Sequence, residues 1–393
     1  MALMARVSLT GPPAQEPEDF LFSALSVIFP DDAANQHGDA DHDVLYTSPH
    51  LPAPLHLSLA DPAHDDDRLL FAHYLWNASL LLAKLIEAGT AVDGGARRRV
   101  RRSRTRGEQA TNSSVDVDPD DADVVTSRYA RVADFDVTGL ATLELGAGTA
   151  LPSLVAALLG ARRVAITDYP SPATLDNLRA NVARNVRQRP AKEEDEEDEE
   201  DEEDEERGKQ EPELNGANDR VDCRPRNPFS TAAVTVDGHE WGSFDTPFAA
   251  ANRHAFDRVA VCDCLWMPWQ HDNLRRSIDW FLKEEGEEEE EEKKTRAADT
   301  TEETTETTES VPAAPRCWAV AGFHTGRDKL AAFFDEAALA AANLEVEAIW
   351  DRDCDDQERP WAADRGVEDV TERKRWLVLA VLRRRRRRRR SRG

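Results

Sequence analysis

Gly146, Ala147 and Gly148 follow the apolar run Leu143-Glu144-Leu145, and Asp168 closes a second apolar run 22 residues after Gly146. A glycine turn lets a ligand approach the backbone with no Cβ in the way, and a helix that starts just after it offers unpaired N–H groups. A carboxylate at the end of the next strand can accept hydrogen bonds from two ribose hydroxyls. Together these groups suit an adenosine-bearing cofactor. The dinucleotide pattern G-x-G-x-x-G asks for a third glycine where Leu151 stands. S-adenosylmethionine (SAM) therefore fits better than NAD, because it has no pyrophosphate that must reach the helix start. A glycine turn alone also serves as a plain strand–helix connection; the acid at this distance is what adds to it.

A second cluster lies at Cys262-Asp263-Cys264-Leu265-Trp266-Met267-Pro268-Trp269. Methyl transfer from a sulfonium needs in-line approach of a neutral nucleophile in a dry site. Aromatic faces then favour the charge that moves onto a methylated nitrogen. Asp263 can accept a hydrogen bond from an amine and orient its lone pair, and Trp266 and Trp269 can wall an acceptor channel. Each tryptophan fits core or rim packing equally, and Asp263 also fits a helix N-cap. His73, His239, His271 and His324 show no metal spacing and read as structural or surface residues. No catalytic serine triad, phosphate loop or carboxylate pair stands out, and no metal is expected.

These groups need a frame that brings strand ends together. The apolar pattern predicts strands over 140–145, 163–167, 232–236, 256–262, 317–321, 344–350 and 375–382. Helices are predicted over 150–159, 173–187, 271–282 and 327–342, and upstream over 69–89, with Gly89 as its stop. Near-continuous apolar strands alternating with helices imply an α/β fold, a Rossmann-like seven-stranded sheet covered on both faces. The last two strands lack a long helix between them, so one of them is expected to run antiparallel. Ligands in such sheets sit at the carboxyl ends of the strands, where the strand order reverses, and that is where both clusters fall.

The 393-residue chain carries a net charge of −27. Fourteen consecutive acids at 193–206, and eight more among 284–292, account for most of it; without them about −5 remains. The acidity thus belongs to inserts rather than to the fold. Segments at about 93–128, 190–228 and 284–315 and a basic tail at 383–393 are too charged and too poor in apolar residues to offset chain entropy, so disorder is expected there. The arginine runs suit nuclear targeting or nucleic acid, but the larger acidic inserts argue against tight polyanion binding. Five scattered cysteines, Cys223, Cys262, Cys264, Cys317 and Cys354, suit a reducing compartment. The first ten residues lack a signal-peptide layout, and the apolar run 20–29 is too short to cross a bilayer. A cytoplasmic protein is expected, with the nucleus as a second site, acting as a monomer because no heptads appear.

His73-Tyr74-Leu75-Trp76-Asn77, the turn from Glu144 to Pro152, Thr167-Asp168-Tyr169-Pro170, Asn177-Leu178-Arg179-Ala180-Asn181-Val182, His239-Glu240-Trp241-Gly242 and Cys262-Asp263-Cys264-Leu265-Trp266 occur in that order. In this order the chain resembles the fungal nicotinamide N-methyltransferase-like family, also described as protein N-terminal and lysine methyltransferases of translation elongation factor 1-alpha. That family lies within the seven-strand SAM-dependent class, near the family 16 lysine methyltransferases. The resemblance covers roughly residues 18–92, 129–189, 229–283 and 316–382, and an extension over 1–72 with one methyltransferase domain over 73–382, interrupted by the inserts, is expected. The resemblance also implies a SAM site made by Trp76 over the methionine end, Gly146, Ala147 and Gly148 at the turn, Asp168 on the ribose, Trp241 on the adenine, and Cys262 through its backbone. Lysine-modifying relatives often carry D-x-x-Y or D-x-x-F after the fourth strand; this chain departs from that with Asp263-Cys264-Leu265-Trp266. A protein amine is the favoured acceptor. Nicotinamide, a nicotinamide-dependent oxidoreductase and a non-catalytic charged interaction protein are the alternatives.

Overall fold

Residues 317 to 321 alternate between two cores: Trp318 and Val320 lie in one, Cys317, Ala319 and Ala321 in the other. Leu377, Leu379 and Val381 part from Val378, Ala380 and Leu382 in the same way. This period of two is that of strands buried on both faces. A computed structural model describes residues 3–10, 35–38, 42–60, 74–106, 127–187, 226–284 and 314–385. Its strands are β1 (Val7–Thr10), β2 (Gln36–His37), β3 (Asp43–Tyr46), β4 (Leu55–Leu57), β5 (Leu75–Trp76), β6 (Ala141–Leu145), β7 (Arg163–Asp168), β8 (Ala233–Gly238), β9 (Arg258–Cys262), β10 (Arg316–Gly322), β11 (Leu344–Asp353), β12 (Glu358–Pro360) and β13 (Trp376–Arg384). Its helices are α1 (Asn77–Arg106), α2 (Leu151–Leu158), α3 (Pro172–Asn185), α4 (Pro247–Ala251), α5 (His271–Phe281), α6 (Arg327–Ala331), α7 (Glu336–Ala341) and α8 (Val370–Arg375).

The main sheet has the order β12-β11-β13-β10-β9-β6-β7-β8. The run from β10 to β8 is parallel, and β13 lies antiparallel between β10 and β11. This is the expected Rossmann-like α/β sheet, with β12 as a short eighth strand added at one edge. From β6 the chain steps outward to β7 and β8, then returns to β9 on the other side of β6. The order therefore reverses between β6 and β9, and the ends of these two strands carry the two clusters. Residues of α1 and α2 cover one face; Leu274, Ile278 and Phe281 of α5, Leu330 of α6 and Leu339 of α7 cover the other.

The described part of the first 72 residues packs onto the same framework. Strands β1, β3 and β4 form a small sheet, and Leu3, Val44, Tyr46, Leu55 and Leu57 share a core with α1 and α2. The Tyr46 hydroxyl donates to Glu87 of α1 at 2.9 Å, and Arg6 pairs with the same carboxylate. Asn177, Asn181 and Asn185 recur every four residues and so share one face of α3. Asn181 accepts from the Ser58 N–H at 2.9 Å and donates to the Ser58 carbonyl at 3.0 Å. Asn185 does the same with His56, at 2.8 Å each way. The asparagines thus satisfy backbone groups along β4 that have no strand partner there.

Several elements differ from expectation for identifiable reasons. Trp76 and Leu75 pair with Gln36 and His37 as a two-stranded ladder, so α1 begins at Asn77 and not at 69; residues 69–73 lie outside the described ones. Gly89 does not stop α1, which runs on to Arg106 through the first part of the proposed 93–128 insert. A Cβ at Gly89 would stand 2.6 Å from the Val132 carbonyl oxygen, so this glycine serves close packing against the short 3-10 helix Val132–Phe135. The proposed helix over 327–342 is broken: Asp335 is extended and its carboxylate caps Ala338 at 2.9 Å, which starts α7 anew. Arg383 and Arg384, assigned to the basic tail, end β13; Arg383 donates to Glu345 at 2.8 Å and Arg384 to the Asp279 carbonyl at 2.8 Å. Residues 107–126, 188–225, 285–313 and 386–393, where most of the expected disorder falls, lie outside the described residues, as does the apolar run 20–29. No helix among the described residues is long and apolar enough to cross a membrane.

Candidate active site

The turn after β6 holds three residues in the left-handed region: Gly146 at φ +71°, Gly148 at +55° and Ala150 at +63°. At Gly146 this conformation and the space both call for glycine. An added Cβ would stand 2.6 Å from Cys264 Sγ and 3.1 Å from the Trp241 ring. Asp168, at the end of β7, is buried. Its Oδ2 accepts from the Gly148 N–H at 2.8 Å and its Oδ1 from the Tyr169 N–H at 2.7 Å. Two of roughly four acceptor positions on the carboxylate are thereby used, and the others are left for a ligand. Burial pushes its pKa up, and the two N–H bonds pull it back.

Beneath the turn, Glu144 of β6 is buried and accepts from the Ser153 N–H at 3.2 Å and from the Ser153 hydroxyl. Its Oε1 has no hydrogen-bond partner among the described residues. Burial raises this carboxyl to about 8, so it is mostly protonated at neutral pH. The Thr167 hydroxyl donates to the Glu144 carbonyl at 2.7 Å and ties β6 to β7.

Across the switch point, Asp263 follows β9 with φ +52°. A left-handed conformation at a residue other than glycine is strained, and such strain gathers at functional sites. The surroundings fix it: the Asp263 N–H donates to the Val320 carbonyl at 2.8 Å, and Oδ1 accepts from the Gly322 N–H at 2.8 Å. Burial raises its pKa, while the nearby His324 and the backbone N–H of Gly322 and Ala78 lower it. Cys262 and Cys264 are buried, which pushes both thiols well above their usual range. They remain thiols at neutral pH and are unsuited to nucleophilic chemistry.

A single cleft joins these groups. Its empty volume is about 890 Å³ including space open to solvent. Trp76, Gly146, Ala147, Gly148, Asp168, Trp241, Cys262, Asp263 and Trp266, nine of the ten residues singled out from the sequence, line it. Trp269 does not; it stands 71% exposed, edge-on to Trp266 with ring centres 6.1 Å apart. Tyr74, Ser79, Thr149, Tyr169 and Gln270 line the cleft without having been singled out. Ser79 lies three residues beyond Trp76 and Tyr169 directly follows Asp168, so their neighbours carried the signal. His239, read as structural, also faces the cleft. It rests against Ser277 Oγ at 3.2 Å and burial lowers its pKa to about 4, so it is neutral. Among the described residues no group of three or more metal-binding side chains is assembled.

No protein-family model matches the chain. Three curated proteins, each called protein N-terminal and lysine N-methyltransferase, are similar to it. The Emericella nidulans protein is 27% identical over 154 residues, 38% of this chain and 45% of the relative. The Eremothecium gossypii protein is 49% identical over 160 residues, 39% and 46% of the two chains. The Gibberella zeae protein is 30% identical over 190 residues, 45% and 58% of the two chains. The chain spans about half the length of the curated relatives it matches. A ribosomal protein L11 methylase from Lactobacillus delbrueckii overlays loosely, at TM-score 0.29 and 14% identity over 64% of this chain and 72% of that one. The sequence matches and the order of the motifs agree: over about two fifths of its length this chain is similar to the fungal protein N-terminal and lysine N-methyltransferases.

Proposed function

We propose that this chain transfers the methyl group of SAM to an amine of a protein, N-terminal, lysine or both, with translation elongation factor 1-alpha as the acceptor. One observation carries the reading. Five separate segments of chain converge on one cleft that has a glycine turn with an acid on one side and an acid among aromatic rings on the other. The name that the similar curated proteins bear points the same way.

The residues present fit the cofactor. The space that a Cβ at Gly146 would fill is left open, and Asp168 keeps acceptor capacity after its two N–H bonds. Gly146, Ala147, Gly148 and Asp168 would hold the adenosine, Trp241 the adenine, Cys262 the pocket floor through its backbone, and Trp76 the methionine end. Bound there, SAM supplies an electrophilic methyl group on a sulfonium. The chain's own work is to orient an amine, exclude water and favour positive charge on the methylated nitrogen. Asp263 would accept a hydrogen bond from the amine, and Trp266 and Trp76 would offer ring faces to the cation. The acceptor places the reaction in the cytoplasm, and a single copy of the chain is sufficient for it.

The test incubates purified protein with methyl-labelled SAM and either an extract of a fungus lacking its own copy or nicotinamide alone. The expected result is one labelled protein band, identified by mass spectrometry, with no label on nicotinamide. Label on nicotinamide and on no protein would replace the protein acceptor by the pyridine. Absence of SAM binding would overturn the reading.

A further inference from the structure

His324 follows β10, yet it folds back over the end of β9. Its ring stacks on Trp76 at a centroid distance of 4.9 Å and an angle of 24°. Its Nδ1 lies 4.0 Å from Asp263 Oδ1. Gly322 makes room for this: a Cβ there would stand 3.1 Å from the imidazole nitrogen. The imidazole is 19% exposed, against 6% for the Asp263 side chain. Asp263 and Trp76 line the cleft; His324 does not. The arrangement is layered, with a carboxylate facing the cleft and an imidazole between that carboxylate and solvent. Asp263, from the loop after β9, is the charged group against the ring, and Trp76, from β5, covers it without a group that titrates near neutral pH.

An amine reaches the cleft largely as an ammonium, because lysine and N-terminal amines hold their proton near neutral pH. It must lose that proton before its lone pair can act. We propose that His324 is the positioning base of this site, taking the acceptor's ammonium proton by way of Asp263 and passing it to solvent. This rests on the methyl-transfer reading above. In the step, one N–H bond of the ammonium breaks, the electron pair stays on nitrogen, and the proton moves through the Asp263 carboxyl to the imidazole. The carboxylate is regenerated and the histidine leaves as imidazolium, which exchanges with water at its exposed edge. At 4.0 Å the pair stands beyond hydrogen-bond reach, and the transfer requires it to tighten when the acceptor is bound, as catalytic hydrogen bonds commonly do. Stacking on Trp76 keeps the ring in line with the carboxylate, and the same indole face favours the imidazolium once formed.

Two measurements test this, the first needing no acceptor. The His324 ring nitrogen signals are recorded by NMR in the wild type and in Asp263→Asn, assigned by their loss in His324→Gln. Facing a carboxylate, the neutral ring should carry its hydrogen on Nδ1, so Asp263→Asn should move the tautomer balance toward Nε2–H. Unchanged nitrogen shifts would overturn the coupling whether or not the chain methylates anything. The second measures kcat/KM for methyl transfer to bacterially made elongation factor 1-alpha from pH 6 to 10, with SAM affinity measured alongside. His324→Gln should bind SAM normally and lose about tenfold near pH 7. That loss should shrink as pH approaches the amine's own pKa, where the free base arrives unaided. A loss that is the same at every pH would mark a merely structural role and overturn the proposal. No transfer by the wild type would count against the methyl-transfer reading, and the ring nitrogen shifts would still decide the His324–Asp263 coupling.

Discussion

The wall of the cleft that carries Gly146, Gly148 and Asp168 is held by the parallel β6–β7 ladder and by the Gly148 and Tyr169 N–H groups, which donate to the Asp168 carboxylate. The wall that carries Trp76, Asp263 and Trp266 adds ring contacts to the Asp263 bonds with Val320 and Gly322, and it is gathered from segments nearly 200 residues apart. The first wall has little freedom, because a parallel sheet fixes the distance between strand ends. The second can change its rings without disturbing the sheet. In the proposed reading the first wall holds the cofactor and the second the acceptor. The departure from D-x-x-Y at Trp266 falls on the adaptable side.

The largest effect expected on the rigid wall comes from Asp168→Ala. It removes the partner of two N–H groups and the ribose acceptor together. Methyl transfer should fall on the order of a hundredfold, with the folded circular dichroism spectrum retained. A variant with nearly full activity would break the assignment of this wall to the cofactor.

Gly146→Ala asks whether the rigidity is real. Its left-handed backbone and the contact with Cys264 Sγ should together cost about 2 kcal/mol of stability, read as a lower midpoint of urea unfolding. An unchanged midpoint would mean that the turn relaxes freely, and the contrast between the walls would fade.

On the adaptable wall, Trp266→Ala should lower kcat/KM for the protein acceptor by about tenfold, as the loss of a desolvated cation–π contact would. SAM affinity should stay the same. A matching fall in SAM affinity would show that the walls are not separable.

The smallest effect concerns Glu144 beneath the turn. Its folded pKa of about 8 exceeds the ordinary 4.5, so the folded state holds a proton that the unfolded state has released between those values. That contribution favours folding at low pH and is lost as pH rises from 4.5 through 8. Glu144→Gln keeps a neutral side chain at every pH. Its melting temperature should therefore gain on the wild type as pH rises, by a few degrees at pH 8. A gap that does not depend on pH would place the proton elsewhere.

The two walls also differ in how far the sequence alone reveals them. Gly146 and Asp168 were legible because the strand–turn–helix–strand unit sets their spacing locally. Asp263 and Trp266 were legible as a cluster, since residues adjacent in the chain stay adjacent at a strand end. The setting of Trp76 was not: its strand pairs with Gln36 and His37, and its ring meets His324, contacts that no local pattern encodes. Gly89 was misread for the same reason, because a glycine that admits a neighbouring backbone looks like a helix stop when that neighbour is unseen. Asp335 did carry a local signal, an acid three residues before the N–H it caps, but the surrounding alanines masked it.

The most direct test of the central claim is a calorimetric titration of SAM into the wild-type chain and into Asp168→Ala. The account predicts one SAM bound per chain in the wild type and binding weakened on the order of a hundredfold in a variant that remains folded. No binding to the wild type, or equal binding to both, would contradict it.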